Sequence, residues 1–188
     1  SDMNTPSFNM QQFWRESIYC AIVAQDLAAL CDEKNSERLF IIGLLHNIGH
    51  LMMRQSIPEL ILEAEQLTQQ QQIPMHESEE RLIGFNFAQM GAELLHKWNL
   101  PENLTTSIKY QLDPSQTEEH QMDAAILHIA EFMARLYAQK LPVVDNTIEQ
   151  LDKHALNLTN VNSEQLIELD LASKESLSSV IQLLFPHL

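Results

Sequence analysis

The run Phe40-Ile41-Ile42-Gly43-Leu44-Leu45-His46-Asn47-Ile48-Gly49-His50-Leu51 is apolar at most positions yet carries a His-Asn pair at its middle. Extended to residues 36–54 it adds Leu39, Met52 and Met53, so apolar side chains point in nearly every direction around a helical wheel. A helix of that kind is stable only when other helices surround it. Residues 36–54 are therefore expected to form the buried central helix of an all-α, multi-helix bundle. Gly43 and Gly49 each cost about 1 kcal/mol relative to alanine inside a helix, so close approach of a neighbouring helix or a ligand is the expected reason for them.

The flanking sequence has the same helical character. Phe13, Trp14, Ser17, Cys20, Ala21, Ala24, Leu27, Ala28 and Cys31 follow a three-to-four spacing over residues 10–31. Pro58 opens a helix running to about Gln72, and Asn86 with Gln89 forms a capping-box pattern ahead of a helix over residues 87–98. Asn99 with Glu102 repeats that pattern around Pro101. A turn at 113–117 precedes a long helix over 118–140, and two or three shorter helices follow Pro142, their acidic residues forming a solvated face. Residues 1–9 lack periodicity and read as a disordered lead-in or an expression remnant, leaving 10–188 as one domain.

Composition narrows the function classes. The chain has 188 residues, 45% of them hydrophobic, enough for one sizeable core. With 11 Lys and Arg against 26 Asp and Glu the formal net charge is -15, which repels nucleic-acid backbones and anionic lipid surfaces. No apolar stretch approaches the roughly 18 residues of a membrane span, so a cytoplasmic protein is expected. Cys20 and Cys31 lie about three turns apart on one helix, too far to bridge, and read as reduced core residues. His50, His76, His96 and His120 are read as surface residues without a special role. No nucleotide-binding glycine loop, Ser-His-Asp order or Cys-based zinc motif occurs.

Several spaced segments carry a resemblance. Gly43-Leu44-Leu45-His46-Asn47-Ile48-Gly49 resembles the HD-superfamily helix in which adjacent His and Asp hold a metal. Phe13-Trp14-Arg15-Glu16-Ser17, the stretch Gly84-Phe85-Asn86-Phe87, Trp98-Asn99-Leu100-Pro101 and Leu127-His128-Ile129-Ala130-Glu131 resemble HDOD domains of bacterial signalling proteins. The likeness covers residues 13 to about 137 and implies the second half of such a domain, without the helical half that would precede it.

The resemblance places the metal positions of active HD enzymes on Glu16 (usually His), His46 (kept), Asn47 (usually Asp) and Glu131 (usually Asp), with Phe87 and the pair Gln111-Leu112 where His often stands. An HD phosphohydrolase needs a divalent metal to polarise the phosphoryl oxygen and activate water. Asn47 offers only a neutral amide. The expected function is therefore a non-catalytic regulatory or protein-interaction module with no cofactor and a vestigial site of Glu16, His46, Asn47, Phe87 and Glu131. Two alternatives stay open. One is a metal-dependent phosphohydrolase with a relaxed ligand set of Glu16, His46 and Glu131, and the other is a metal-free small-ligand sensor using the same pocket. His46 is expected to be buried and hydrogen-bonded to Glu16, Asn47 or Glu131. Glu131 with Arg135 reads as an i,i+4 ion pair. A missing half would uncover apolar surface, so a protein partner or a second copy is expected to bind at Phe13, Trp14, Phe185 or Leu188.

Overall fold

A computed structural model describes residues 8–184. Ten α-helices occur among them: α1 Met10–Leu30, α2 Glu37–Leu45, α3 Ile48–Ser56, α4 Pro58–Gln71, α5 Met75–Ile83, α6 Phe87–Lys97, α7 Glu102–Lys109, α8 Gln121–Ala138, α9 Lys153–Thr159 and α10 Ser163–Leu184. The all-α bundle expected from the sequence is present. Short 3-10 turns at Pro114–Gln116 and Asp145–Gln150 link the later helices.

The central position belongs to α1 and not to residues 36–54. Eleven α1 residues are buried, among them the unbroken run from Ser17 to Ala24, because α2, α8 and α10 pack around it. Residues 36–54 instead form two helices, α2 and α3, broken at His46 and Asn47. Their outer side remains accessible: Ile41 is 48% exposed, and Phe40, Leu44 and Leu51 are half-buried. The run is apolar all round because its two halves face different neighbours. Gly43 lies against the backbone of α1, and Gly49 against the backbone of α6.

A second, smaller apolar cluster of Met53, Ile61, Phe87 and Ala88 seats the α4–α5 hairpin on α3 and α6. The periodicity reading does not include α5, whose sequence Met75-His76-Glu77-Ser78-Glu79-Glu80 looks solvated. Ser78 and Glu79 are nevertheless fully buried there. Asn86 and Gln89 form the expected capping box. Its expected repeat does not form, because Asn99 takes a left-handed φ of 57° and α7 starts after Pro101 with no side-chain cap. Past Pro142 the helices are not all short, since α10 has 22 residues. Nor is their acidic face wholly solvated: Asp170 is buried, where it accepts from the Tyr19 hydroxyl and pairs with Lys174.

Asn9 caps α1 by accepting from the Gln12 N–H at 3.1 Å, and Phe8 packs on Phe13. With Trp14 edge-on at 5.5 Å, this leaves Phe13 only 6% exposed, so it is no surface anchor. Trp14 is half-buried. Phe185 and Leu188 lie outside the described residues. Both cysteines are free, with Cys20 buried and Cys31 half-buried. Burial raises both thiol pKa values, disfavouring the reactive thiolate.

Candidate functional site

The break between α2 and α3 is built by side chains. The Nδ1 of His46 lies 2.7 Å from the Gly43 carbonyl oxygen. A carbonyl only accepts, so Nδ1 carries the ring proton and Nε2 is the unprotonated nitrogen. The His46 carbonyl is turned toward the turn that follows α7, where the Gln111 Nε2 amide donates to it at 2.8 Å and to the Ile108 carbonyl at 2.9 Å. Gln111 is itself held from α8, because the Asp152 N–H donates to His128 Nε2 at 3.1 Å and His128 Nδ1 in turn donates to the Gln111 carbonyl at 2.8 Å. Both nitrogens of His128 are thus engaged with backbone.

Gln111 is therefore a structural tie. Gln111→Met should lower the stability of the fold by about 1–2 kcal/mol, since it strips the buried His46 carbonyl of its donor. The loss is moderated because Gln111 Oε1 is itself buried without a partner. Urea unfolding checks this, and an unchanged midpoint would show that the break does not depend on the tie.

His46 is buried at 2% exposure, as expected. Its hydrogen bond goes to Gly43, however, and not to Glu16, Asn47 or Glu131, which place polar groups around the site without bonding the ring. Burial pulls the His46 pKa down to about 4, against an opposing pull from Glu131. Glu16 is pushed the other way, up to about 7, by burial and by the neighbouring charge of Glu131, while Arg135 works against the rise. Glu131 is buried and sits 3.5 Å from Arg135. The structure thus brings Glu16, His46 and Glu131 into one electrostatic neighbourhood, with Asn47 beside them.

Asn47 is 4% exposed and fixed by Ser17. The Ser17 Oγ is 2.8 Å from the Phe13 carbonyl and 3.0 Å from the Asn47 side-chain amide. Phe87 stands at the start of α6, where its N–H donates to Glu79 Oε2 at 2.9 Å and its ring stacks on His50 at 4.0 Å. That ring stack with His50 fills the place where the family often has a histidine.

Sequence reasoning missed Ser17, Arg54, His50, His76 and Glu79 as parts of this region. His50 is half-buried, with Nδ1 3.2 Å from the fully buried Glu79 Oε1. His76 is half-buried too, near Glu131 and Arg135, and burial lowers its pKa. The surface reading of both therefore fails, while His96 and His120 are exposed as expected. A cleft of about 370 Å³ opens over the region, lined by Phe8, Phe13, Glu16, Asn47, His50 and Arg54 among others.

The divalent metal of HD enzymes does not fit these residues. His46 is oriented as metal-binding histidines are, with Nδ1 on a backbone carbonyl. Its neighbour Asn47 is neutral and bound to Ser17, and among the described residues no three His, Cys, Asp or Glu side chains converge as a ligand set.

The HDOD domain family matches residues 2–114, more than half of the chain. The chain belongs to the HDOD domain family. Among its relatives, a protein of Treponema pallidum described as uncharacterized is 26% identical over 157 residues, covering 82% of this chain and 30% of that protein. A solved HDOD domain protein of unknown function from Geobacter sulfurreducens is 22% identical with a TM-score of 0.77, over 95% of this chain and 64% of that one. A proposed signal transduction protein from Marinobacter aquaeolei gives the same identity and TM-score over 96% of this chain and 40% of that one. The chain thus spans less than two thirds of each of these proteins. The family match ends before α8, so Glu131 joins the site through the packing of α8 on α1. No helix among the described residues is long and apolar enough to cross a membrane.

Proposed function

We propose that this chain is a non-catalytic regulatory module of bacterial signal transduction, acting by binding a protein partner. The observation that carries the reading is Asn47, buried at the position where the HD pair needs a carboxylate and engaged with Ser17. A neutral amide in place of that carboxylate supplies no negative oxygen to anchor a divalent ion or stabilise the hydroxide it would generate. The solved Marinobacter relative, described as a proposed signal transduction protein, supports the signalling half of the reading.

The test is direct. Purified protein dialysed against chelator should retain no stoichiometric Mn, Fe or Zn, and should show no turnover of nucleotide or phosphodiester substrates when those metals are added back. Asn47→Asp alone should not create activity, because Glu16 and Phe87 remain. Retained metal together with turnover abolished by His46→Ala would establish the phosphohydrolase reading instead.

A further inference from the structure

We propose that the cleft between the start of α1 and the end of α8 binds a small phosphate-bearing molecule. Its volume is about 310 Å³, at the lower end of the range of small-ligand clefts. Its charge sets it apart in a chain of formal net charge -15. Arg15 from α1 and Lys140 just past α8 both line it, and among the described residues no Asp or Glu does. Neither cation has an ion pair or hydrogen bond among those residues. The other four arginines, Arg38, Arg54, Arg81 and Arg135, are each paired with a carboxylate. Two cations left unpaired in one acid-free cleft draw anions to a place that the rest of this surface would repel them from.

The backbone explains how the two cations meet. At the end of α8 the Leu141 N–H returns to the Leu136 carbonyl at 2.9 Å, and the chain turns at Lys140, which takes a left-handed φ of 58°. Gln12 Nε2 donates to the Ala138 carbonyl at 3.2 Å and ties the two helices together at this point. The last carbonyls of α8 are thereby spoken for: those of Arg135, Leu136, Tyr137 and Ala138 each accept a hydrogen bond. With the negative end of α8 capped in this way, the side chains set the sign of the field.

Two uncharged groups complete the donor set. Tyr137 and Gln11 line the cleft, and neither the Tyr137 hydroxyl nor the Gln11 side-chain amide has a hydrogen bond among the described residues. The Tyr137 ring stacks on the buried Tyr19 at 4.6 Å, which gives its hydroxyl a fixed position. A guanidinium, an ammonium, a hydroxyl and an amide present N–H and O–H groups from several directions. A phosphoryl group answers them with three terminal oxygens and about two negative charges, whereas the two oxygens of a carboxylate lie in one plane. This cleft is separate from the His46 region, so the proposal goes beyond the regulatory reading and does not depend on it.

Pyrophosphate is the probe, at pH 8 and low ionic strength with chelator present, and malonate, a small dicarboxylate, is the comparison. By calorimetry pyrophosphate should bind, and malonate should bind at least tenfold more weakly. Pyrophosphate affinity should fall at least fivefold in Arg15→Gln and in Lys140→Gln. It should stay within twofold in Lys153→Gln, which removes an exposed, unpaired lysine outside the cleft. In NMR spectra the Tyr137 ring protons should shift, while those of His50, in the cleft over α3, stay in place. No binding, affinity kept in either cleft variant, an equal loss in Lys153→Gln, malonate binding as tightly, or a shift at His50 with none at Tyr137 would each overturn the proposal. Arg15 and Lys140 are exposed, so both variants should fold, and the malonate comparison and the Tyr137 shift are read on the unaltered protein in any case.

Discussion

Gly49→Ala is expected to destabilise the fold by at least about 3 kcal/mol, although helix propensity taken alone would favour alanine by about 1 kcal/mol. A Cβ at this position would stand 1.9 Å from the Phe87 carbonyl oxygen and 2.8 Å from the Gly91 nitrogen. Both are backbone atoms of α6, so relief requires separating α3 from α6 and opening the second apolar cluster, in which Met53 meets Phe87 and Ala88. Overpacking that moves backbone costs several times what a flexible side chain would charge. Gly43→Ala should follow, since its Cβ would fall 2.7 Å from Ala21 Cα on α1. Gly91→Ala, with nearest atoms at 3.4 Å, and Gly84→Ala, in open space but at φ 89°, should cost much less. Urea midpoints for the four variants test the order. A Gly49→Ala protein as stable as the parent would show that α3 and α6 do not approach as described.

Those glycines also show what a sequence can and cannot reveal. That each needs a close neighbour followed from the propensity cost alone, and the approach of α1 and α6 supplies it. Which helix is central did not follow. Residues 10–31 show an amphipathic spacing while residues 36–54 are apolar all round, yet the burial is the reverse. Periodicity measures how many directions need apolar neighbours, and a helix broken at His46 meets two sets of neighbours without being enclosed by either. The break itself is invisible to helical periodicity because it depends on the Gln111 amide, 65 positions away. Proximity of Glu16, His46, Asn47 and Glu131 was legible through family motifs. The hydrogen bonds that decide their chemistry were not, since they run to Gly43, Ser17 and Phe13, residues whose polar groups carry no distinguishing signal. Glu79 was hidden by its own composition, because an acid among acids reads as solvated whether or not one of them turns inward to cap a neighbouring helix.

Glu16→Gln is expected to stabilise the protein at pH 8 by about 2–3 kcal/mol and to leave it nearly unchanged at pH 4.5. The folded protein holds the Glu16 proton up to about pH 7, whereas the group ordinarily loses it near 4.5. Folding therefore favours the protonated carboxyl, and that contribution is fully present below the ordinary value. It declines as pH rises and is lost above about 7, where Glu16 must ionise beside Glu131. At about 1.4 kcal/mol for each tenfold change in protonation, the full gap is about 3.5 kcal/mol, a ceiling that water reaching the cleft reduces. Glutamine matches the protonated acid in shape and carries no charge, so it removes the cost at high pH and changes little at low pH. His46 tilts the other flank of the profile. Its pKa near 4 in the fold, against an ordinary 6.5, means that stability is full above 6.5 and declines as pH falls toward 4. The two slopes oppose each other between about pH 4.5 and 6.5, so the parent should melt highest there, whereas Glu16→Gln, left with the His46 slope alone, should match the parent near pH 4.5 and reach its maximum only above about pH 6.5. Thermal melts of both proteins from pH 4.5 to 8 measure the difference. A parallel pair of curves would mean that Glu16 is solvated and ionises normally.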